Sequence, residues 1–350
     1  MNPVKPDQIQ RLDALLAEAK RVGIVVHTHP DGDAAGSGVA LLAYLQRRRD
    51  LQARLLLPDP VPDSLEFLLP SSGVTVASED HGGAEAWIAA SDLLVCLDMN
   101  GFSRAGDLEA ALRAGKARKL LVDHHLHPET ESFDLAFSET EISSASELLY
   151  RILLALPGVE KAENLPLEVL TPLMAGMTTD TNNFANSVFP STLEMASELL
   201  AAGVDRDGLI EKIYHNYREN RFRAMGAFLS EKMTITPEGV AYAVLDRAFL
   251  RRFGLQEGET EGFVNLPLGI AGVRLSIFLR EDAGHFRVSI RSKQGIAANR
   301  LAAGAFHGGG HACAAGGKLH FPEDIPGPEG AAAYVEAVAA RFMRNENSPK

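Results

Sequence analysis

Four short segments of this chain carry side chains that can hold cations or move protons. His27-Thr28-His29-Pro30-Asp31-Gly32-Asp33 sets an imidazole four residues before one carboxylate and six before another, on a loop bent by Pro30 and Gly32. Three nitrogen and oxygen donors can thereby be aimed at one point. Asp98 ends the apolar run 92–97, Asp123-His124-His125 ends the run of Leu120, Leu121 and Val122, and Asp180 lies within Thr178-Thr179-Asp180-Thr181. Singly, each has a plain structural explanation, because a strand-end Asp is commonly a helix cap or a turn residue. Together they weigh differently. Four carboxylates converging without cations would repel and raise one another's pKa values, so the set asks for positive charge. Carboxylates with imidazoles and no thiolate suit hard to borderline ions such as Mn²⁺ or Mg²⁺, and two ions ~3.5–4 Å apart would share carboxylates as bridges. That is an arrangement for hydrolysis.

A second set lies toward the carboxy terminus. Arg291 and Ser292, in Arg291-Ser292-Lys293, offer a guanidinium fork and a hydroxyl for phosphate oxygens. In Gly308-Gly309-Gly310-His311 the glycines let backbone amides approach an anion closely, with His311 at the end of the loop.

Alternating strand and helix signals must position the first set. Helices are expected over 7–21, 36–49, 84–90, 107–114, 144–156 and 167–177, and strands over 22–26, 54–57, 92–97, 119–122 and 133–137. That alternation predicts a parallel sheet with helices on both faces. A helical stretch over 191–229, broken at Gly203, reads as a linker. After it the strands 233–236, 240–245, 273–279 and 286–290 predict a smaller mixed-sheet α/β domain, closed by a helix over 328–344. The expected domains are therefore 1–190, 191–229 as linker, and 230–345.

The chain has 350 residues, 46% of them hydrophobic and 23% charged, which is ordinary for a globular protein of about two domains. No apolar run approaches the ~20 residues of a membrane-spanning helix, and 1–21 lacks a signal-peptide core, so a cytoplasmic protein without membrane attachment is expected. Cys96 and Cys313 make neither a disulfide framework nor a CxxC pair. The net charge of −12 argues against gripping long duplex nucleic acid, although the stretch 221–300 is net +4.

These motifs, in this order, resemble the DHH phosphoesterase superfamily, specifically its bacterial oligoribonuclease and pAp phosphatase branch, which joins a DHH domain to a DHH-associated carboxy-terminal domain. The resemblance spans nearly the whole chain. It implies His27 and Asp31 on one metal ion, Asp33 and His124 on a second, and Asp98 and Asp180 bridging both. The two ions would be Mn²⁺ ahead of Mg²⁺ or Co²⁺. It further implies catalytic roles for Asp98, His124, His125 and Asp180. Asp123 would orient its loop, His125 would face the substrate phosphate, and Arg104, six residues past Asp98, would steady the carboxylates or their loop. His29 is given no ligand role. The family's Gly-Ser-Phe-Arg after the last Asp is here Asn182-Asn183-Phe184-Ala185, a departure that bears on substrate preference. The implied activity is hydrolysis of short RNA and of 3′,5′-bisphosphorylated adenosine (pAp), in the cytoplasm and with a homodimer as a possible assembly. Alternatives are a phosphodiesterase for linear or cyclic dinucleotides such as pApA and cyclic di-AMP, an exopolyphosphatase-like hydrolase, and a non-catalytic nucleotide sensor. The last is disfavoured because all six implied metal positions hold competent ligands.

Overall fold

The computed structural model describes residues 4–346, and the chain divides into two compact units, one running to Asn216 and the other starting at Tyr217. The first unit contains, in order, α1 (Pro6–Glu18), β1 (Arg21–Val25), α2 (Gly32–Gln46), β2 (Gln52–Leu57), β3 (Val74–Val76), α3 (His81–Ala90) and β4 (Leu93–Leu97). It continues through α4 (Glu109–Ala114), β5 (Arg118–Asp123), β6 (Leu135–Ser138), α5 (Ala145–Ala155), α6 (Leu167–Asp180), α7 (Pro190–Ala201) and α8 (Arg206–Tyr214). The six strands form one parallel sheet in the order β3-β2-β1-β4-β5-β6.

Strand residues alternate between two cores, as the period of two requires. Val22, Ile24, Leu93, Val95 and Leu97 face the core built with α1, α2, α5 and α6, while Val25, Leu94 and Cys96 face the core beside α3 and α4. Each large apolar side chain buried here contributes about 1.5–3 kcal/mol relative to exposure. A slip of one residue would exchange the two faces, so burial fixes the register that leaves Asp98 just past the end of β4.

The expected parallel α/β sheet is therefore present. Two differences have physical reasons. β3 is three residues long and follows a Pro-rich turn, too short to show an alternation. Within the stretch 191–229, α7 and α8 turn Met195, Ala196, Leu199, Leu209 and Ile213 into the first unit's core, and the division between the units falls at 216/217.

The second unit contains α9 (Glu219–Ala227), β7 (Thr234–Ile235), β8 (Val240–Leu245), α10 (Arg247–Phe253), β9 (Leu275–Glu281), β10 (His285–Ser292), α11 (Ala298–Ala305), β11 (Gly309–Gly310), β12 (Ala314–His320) and α12 (Ala331–Glu346). Its sheet runs β11-β12-β10-β9-β8-β7, parallel only between β8 and β9. The expected mixed sheet is confirmed. β12, with the sequence Ala-Ala-Gly-Gly-Lys-Leu-His, lacks the β-branched signal of a strand. Within it Gly317 has a packing reason: a Cβ there would overlap the Phe306 carbonyl. Among the described residues no helix is long and apolar enough to cross a membrane.

Candidate active site

In the strand order of the first unit the chain leaves β1 toward β2 but leaves β4 toward β5, so the loops after these neighbouring strands diverge and open a crevice at their carboxyl ends. Open α/β sheets bind ligands at such a switch point. His27, Asp31 and Asp33 follow β1, Asp98 follows β4, and Asp123, His124 and His125 lie at the end of β5. Asp180 arrives from elsewhere, on the last turn of α6. It reaches the crevice because α6 packs closely on α2 and α5: a Cβ on Gly36 of α2 would overlap the Pro172 carbonyl, and one on Gly176 would overlap the Ser146 hydroxyl of α5 and approach Asp33 of α2.

Asp98 is the centre of the cluster. Its Oδ2 lies 3.3 Å from His27 Nε2, and its Oδ1 lies 3.4 Å from His124 Nε2. His27 Nε2 is 3.7 Å from Asp31 Oδ1. His124 Nε2 is 3.9 Å from Asp33 Oδ2 and 3.6 Å from Asp180 Oδ2. Two triads result, His27-Asp31-Asp98 and Asp33-His124-Asp180, each with donor atoms within 4.8 Å of one another and each able to hold a metal ion. Asp98 touches both through different oxygens. Its Oδ1 is buried without a hydrogen-bond partner among the described residues, and its backbone has φ +55°. The left-handed region costs an ordinary residue about 1–2 kcal/mol, and such strain persists where function demands a particular side-chain direction.

The electrostatics fit cation binding. Burial alone would lower the pKa of His27, but Asp31 and Asp98 overcome it and hold the imidazole at about 10. Burial likewise opposes the charge on His124, yet Asp98, Asp180 and Asp33 lift it to about 10. Asp33 is pushed well above the carboxylate range by burial, then by Asp98 and Asp180. Asp180 rises to about 7, again through burial first and with the His124 charge opposing. As these side chains stand, the cluster limits its own repulsion by holding protons. Divalent cations would replace those protons at the same points.

Two residues outside the expected set complete the construction. Asp33 accepts hydrogen bonds from Ala145 N to Oδ2 (2.6 Å) and from Ser146 N to Oδ1 (2.9 Å), so the first turn of α5 fixes its carboxylate. Their side chains carry no signal. The start of that helix is legible, since Ser144 caps it and accepts from Glu147 N. Asp123 is fully buried and accepts from His125 N (3.2 Å), while its Oδ1 lies 2.8 Å from His125 Nδ1. The ring of His125 is thereby oriented with Nδ1 toward Asp123.

The remaining expected residues fall differently. His29 is largely exposed, and its backbone N donates to Asp59 Oδ2 at 2.8 Å, a loop-fixing role. Arg104 holds the loop after β1 through its carbonyl, which accepts from Thr28 N at 2.8 Å. Asn183 accepts from Arg206 through its side-chain oxygen. In the second unit Arg291 is half-buried on β10 opposite Ala314, three residues from His311. Gly309 and Gly310 are exposed, Gly308 and His311 half-buried. Ser292 is a correction. Strand alternation puts it on the face opposite Arg291, where it is buried and its hydroxyl donates to Ile296 O at 2.6 Å, so it leaves the phosphate-binding set.

A parallel α/β unit with carboxylates and imidazoles gathered at its switch point defines a metal-dependent hydrolase. Residues 21–177 match the model of the DHH family, N-terminal domain, and residues 238–328 match the DHHA1 domain. The bifunctional oligoribonuclease and PAP phosphatase NrnA of Thermus thermophilus is 30% identical over 88% of this chain and 86% of its own length. The Bacillus subtilis protein of that name is 29% identical over 85% and 89%. The crystal structure of an exopolyphosphatase-related protein from Bacteroides fragilis superposes with TM-score 0.89, at 32% identity and covering 98% of both chains. The chain belongs to the DHH family.

Proposed function

We propose that this protein is a two-metal phosphoesterase that hydrolyses short RNA oligonucleotides to mononucleotides and pAp to a mononucleotide and phosphate. The observation that carries the reading is Asp98, placed 3.3 and 3.4 Å from the imidazoles of two separate donor triads. His27 and Asp31 would hold one ion, Asp33 and His124 the other, with Asp98 and Asp180 between them. An oxygen-rich set with two imidazoles favours Mn²⁺, with Mg²⁺ or Co²⁺ as substitutes. When bound, the pair of ions would polarise the phosphate ester and lower the pKa of the attacking water, so no separate protein base is needed.

The chain's own residues do the rest. The Asp33 carboxylate is kept in place by the α5 amides and the His125 ring by Asp123, so little reorganisation accompanies substrate arrival. His125 would steady the phosphate. Arg291, the glycine run and His311 form the anion-binding set of the second unit. A cytoplasmic enzyme acting on short RNA rather than long duplexes accords with the net charge of −12, and a homodimer belongs to the same reading.

The relationship to an exopolyphosphatase-related structure makes polyphosphate the second substrate to test. The purified protein with Mn²⁺ is assayed against pAp, pApA, cyclic di-AMP, RNA of two to five residues and polyphosphate. Turnover of pAp and short RNA is expected, and Asp98→Asn abolishes it while the circular-dichroism spectrum stays native. Undiminished turnover by that variant rejects the shared-ligand role, and hydrolysis of polyphosphate alone replaces the substrate assignment.

A further inference from the structure

The second unit gathers three histidines and a carboxylate at the end of its sheet remote from Arg291. His285 opens β10 and stands in register opposite His320, the last residue of β12, whereas Arg291 pairs with Ala314 at the other end of the same ladder. Six residues of strand put the two ends roughly 20 Å apart. The His285 and His320 ring centroids are 5.5 Å apart. His307, in the turn after α11, stands over His320 at 5.6 Å with the rings at 68°. Asp324 fastens the group: its Oδ1 and Oδ2 lie 2.9 and 3.1 Å from His307 Nε2, and Oδ2 accepts from His320 N at 2.8 Å.

Three features of this group suit a metal ion, which would draw together donors that do not stand as close as those of the first unit's triads. His285 Nδ1 lies 3.0 Å from the Ala283 carbonyl. A carbonyl only accepts, so Nδ1 carries a proton, and in the neutral ring the lone pair is then on Nε2, the tautomer with a carbonyl partner that metal-binding imidazoles adopt. Two ligands each ~2.0–2.1 Å from one ion sit roughly 3–3.4 Å apart, which matches the spacing of His307 Nε2 and Asp324 with an ion in place of the shared proton. Directly opposed strand residues have Cβ atoms about 4.5–5.5 Å apart, so Nε2 of His285 and the ring of His320 come within reach of one ion once the His320 ring turns toward it. Imidazole-rich sets select ions of borderline softness, unlike the oxygen-rich cluster of the first unit.

We propose that His285, His307, His320 and Asp324 form a separate site for one divalent ion such as Zn²⁺ or Ni²⁺. The ion ties β10, β12 and the turn after α11 together. His307 immediately precedes Gly308 and has φ +47°, so the bound ion also anchors the start of the glycine run.

The test is equilibrium dialysis of the full-length protein against Zn²⁺, with zinc per chain counted by atomic absorption. The double variant His307→Ala, His320→Gln is expected to bind one zinc fewer than the wild type. Asp98→Asn, which disturbs only the first unit's cluster, keeps that one. Equal zinc in the double variant and the wild type overturns the proposal, while equal zinc in Asp98→Asn and the wild type counts instead against the strand-end metal centre. Should the double variant lose its native circular-dichroism spectrum, His285→Gln takes its place: at least about tenfold weaker uptake of the extra zinc supports the site, and unchanged uptake overturns it.

Discussion

Cys96 and Asp98 stand two residues apart, both buried, and their surroundings drive them in opposite directions. Around Cys96 burial outweighs the opposing charge of Lys119, and the thiol is pushed up to about 12. Around Asp98 burial would raise the pKa too, but His124 and His27 outweigh it and hold the carboxyl well below its usual range. The thiol gives a pH prediction. In the unfolded chain it ionises near 8.5, whereas the folded protein keeps it protonated to about 12, so the folded state binds more protons and stability falls as pH rises across that window. The limiting slope is about 1.4 kcal/mol per pH unit. Urea titrations of wild type and Cys96→Ala between pH 8 and 11 should show the variant losing less stability by that slope, and parallel curves would contradict it. At this scale much of the site is legible in the sequence, because Asp98 and Asp123 each close an apolar run that burial fixes in register. Ser292 shows the opposite case: counting by twos from Arg291 would have put it on the other face.

Helix placement carries what residue types do not reveal. Asp180 joins the cluster only because α6 lies close enough on α2, an approach that Gly36 and Gly176 permit, and no local pattern states which helices will meet. Ala145 and Ser146 are equally silent, since they contribute only N–H groups. Ala145 permits a sharp test. It is the first residue of α5, and Ser144 before it is extended (φ −165°, ψ 161°), a position and a preceding conformation that proline accepts. Ala145→Pro therefore leaves the helix formed but removes the donor to Asp33 and sets ring carbon against its Oδ2. Losing a partner that orients a metal ligand commonly costs 10–100-fold in affinity. Mn²⁺ binding followed by calorimetry should weaken by that order while far-ultraviolet circular dichroism stays native. Unchanged Mn²⁺ affinity would mean that the α5 amides do not set the Asp33 geometry.

Across the whole molecule the charge is uneven, net −12 overall but +4 over 221–300, and within the first unit the acidic excess is concentrated further into one buried cluster. Such concentration is unfavourable to the fold until it is neutralised, since carboxylates packed at low dielectric repel or must take up protons. Stability of the first unit should therefore be linked to divalent cations. An ion that binds only the folded state at one hundred times its dissociation constant adds about 2.7 kcal/mol. For a unit of this size each kcal/mol moves the melting temperature by roughly 2–4 °C, so Mn²⁺ should raise the transition that unfolds the first unit by about 5–10 °C. EDTA should reverse the rise. Asp98→Asn supplies the decisive comparison: losing the carboxylate that the His27 and His124 charges favour lowers the melting temperature without added cation, and with the shared ligand gone the variant gains little from Mn²⁺. A wild-type transition that ignores both Mn²⁺ and EDTA would show that protons alone suffice to settle these carboxylates, and the metal centre would have to be abandoned.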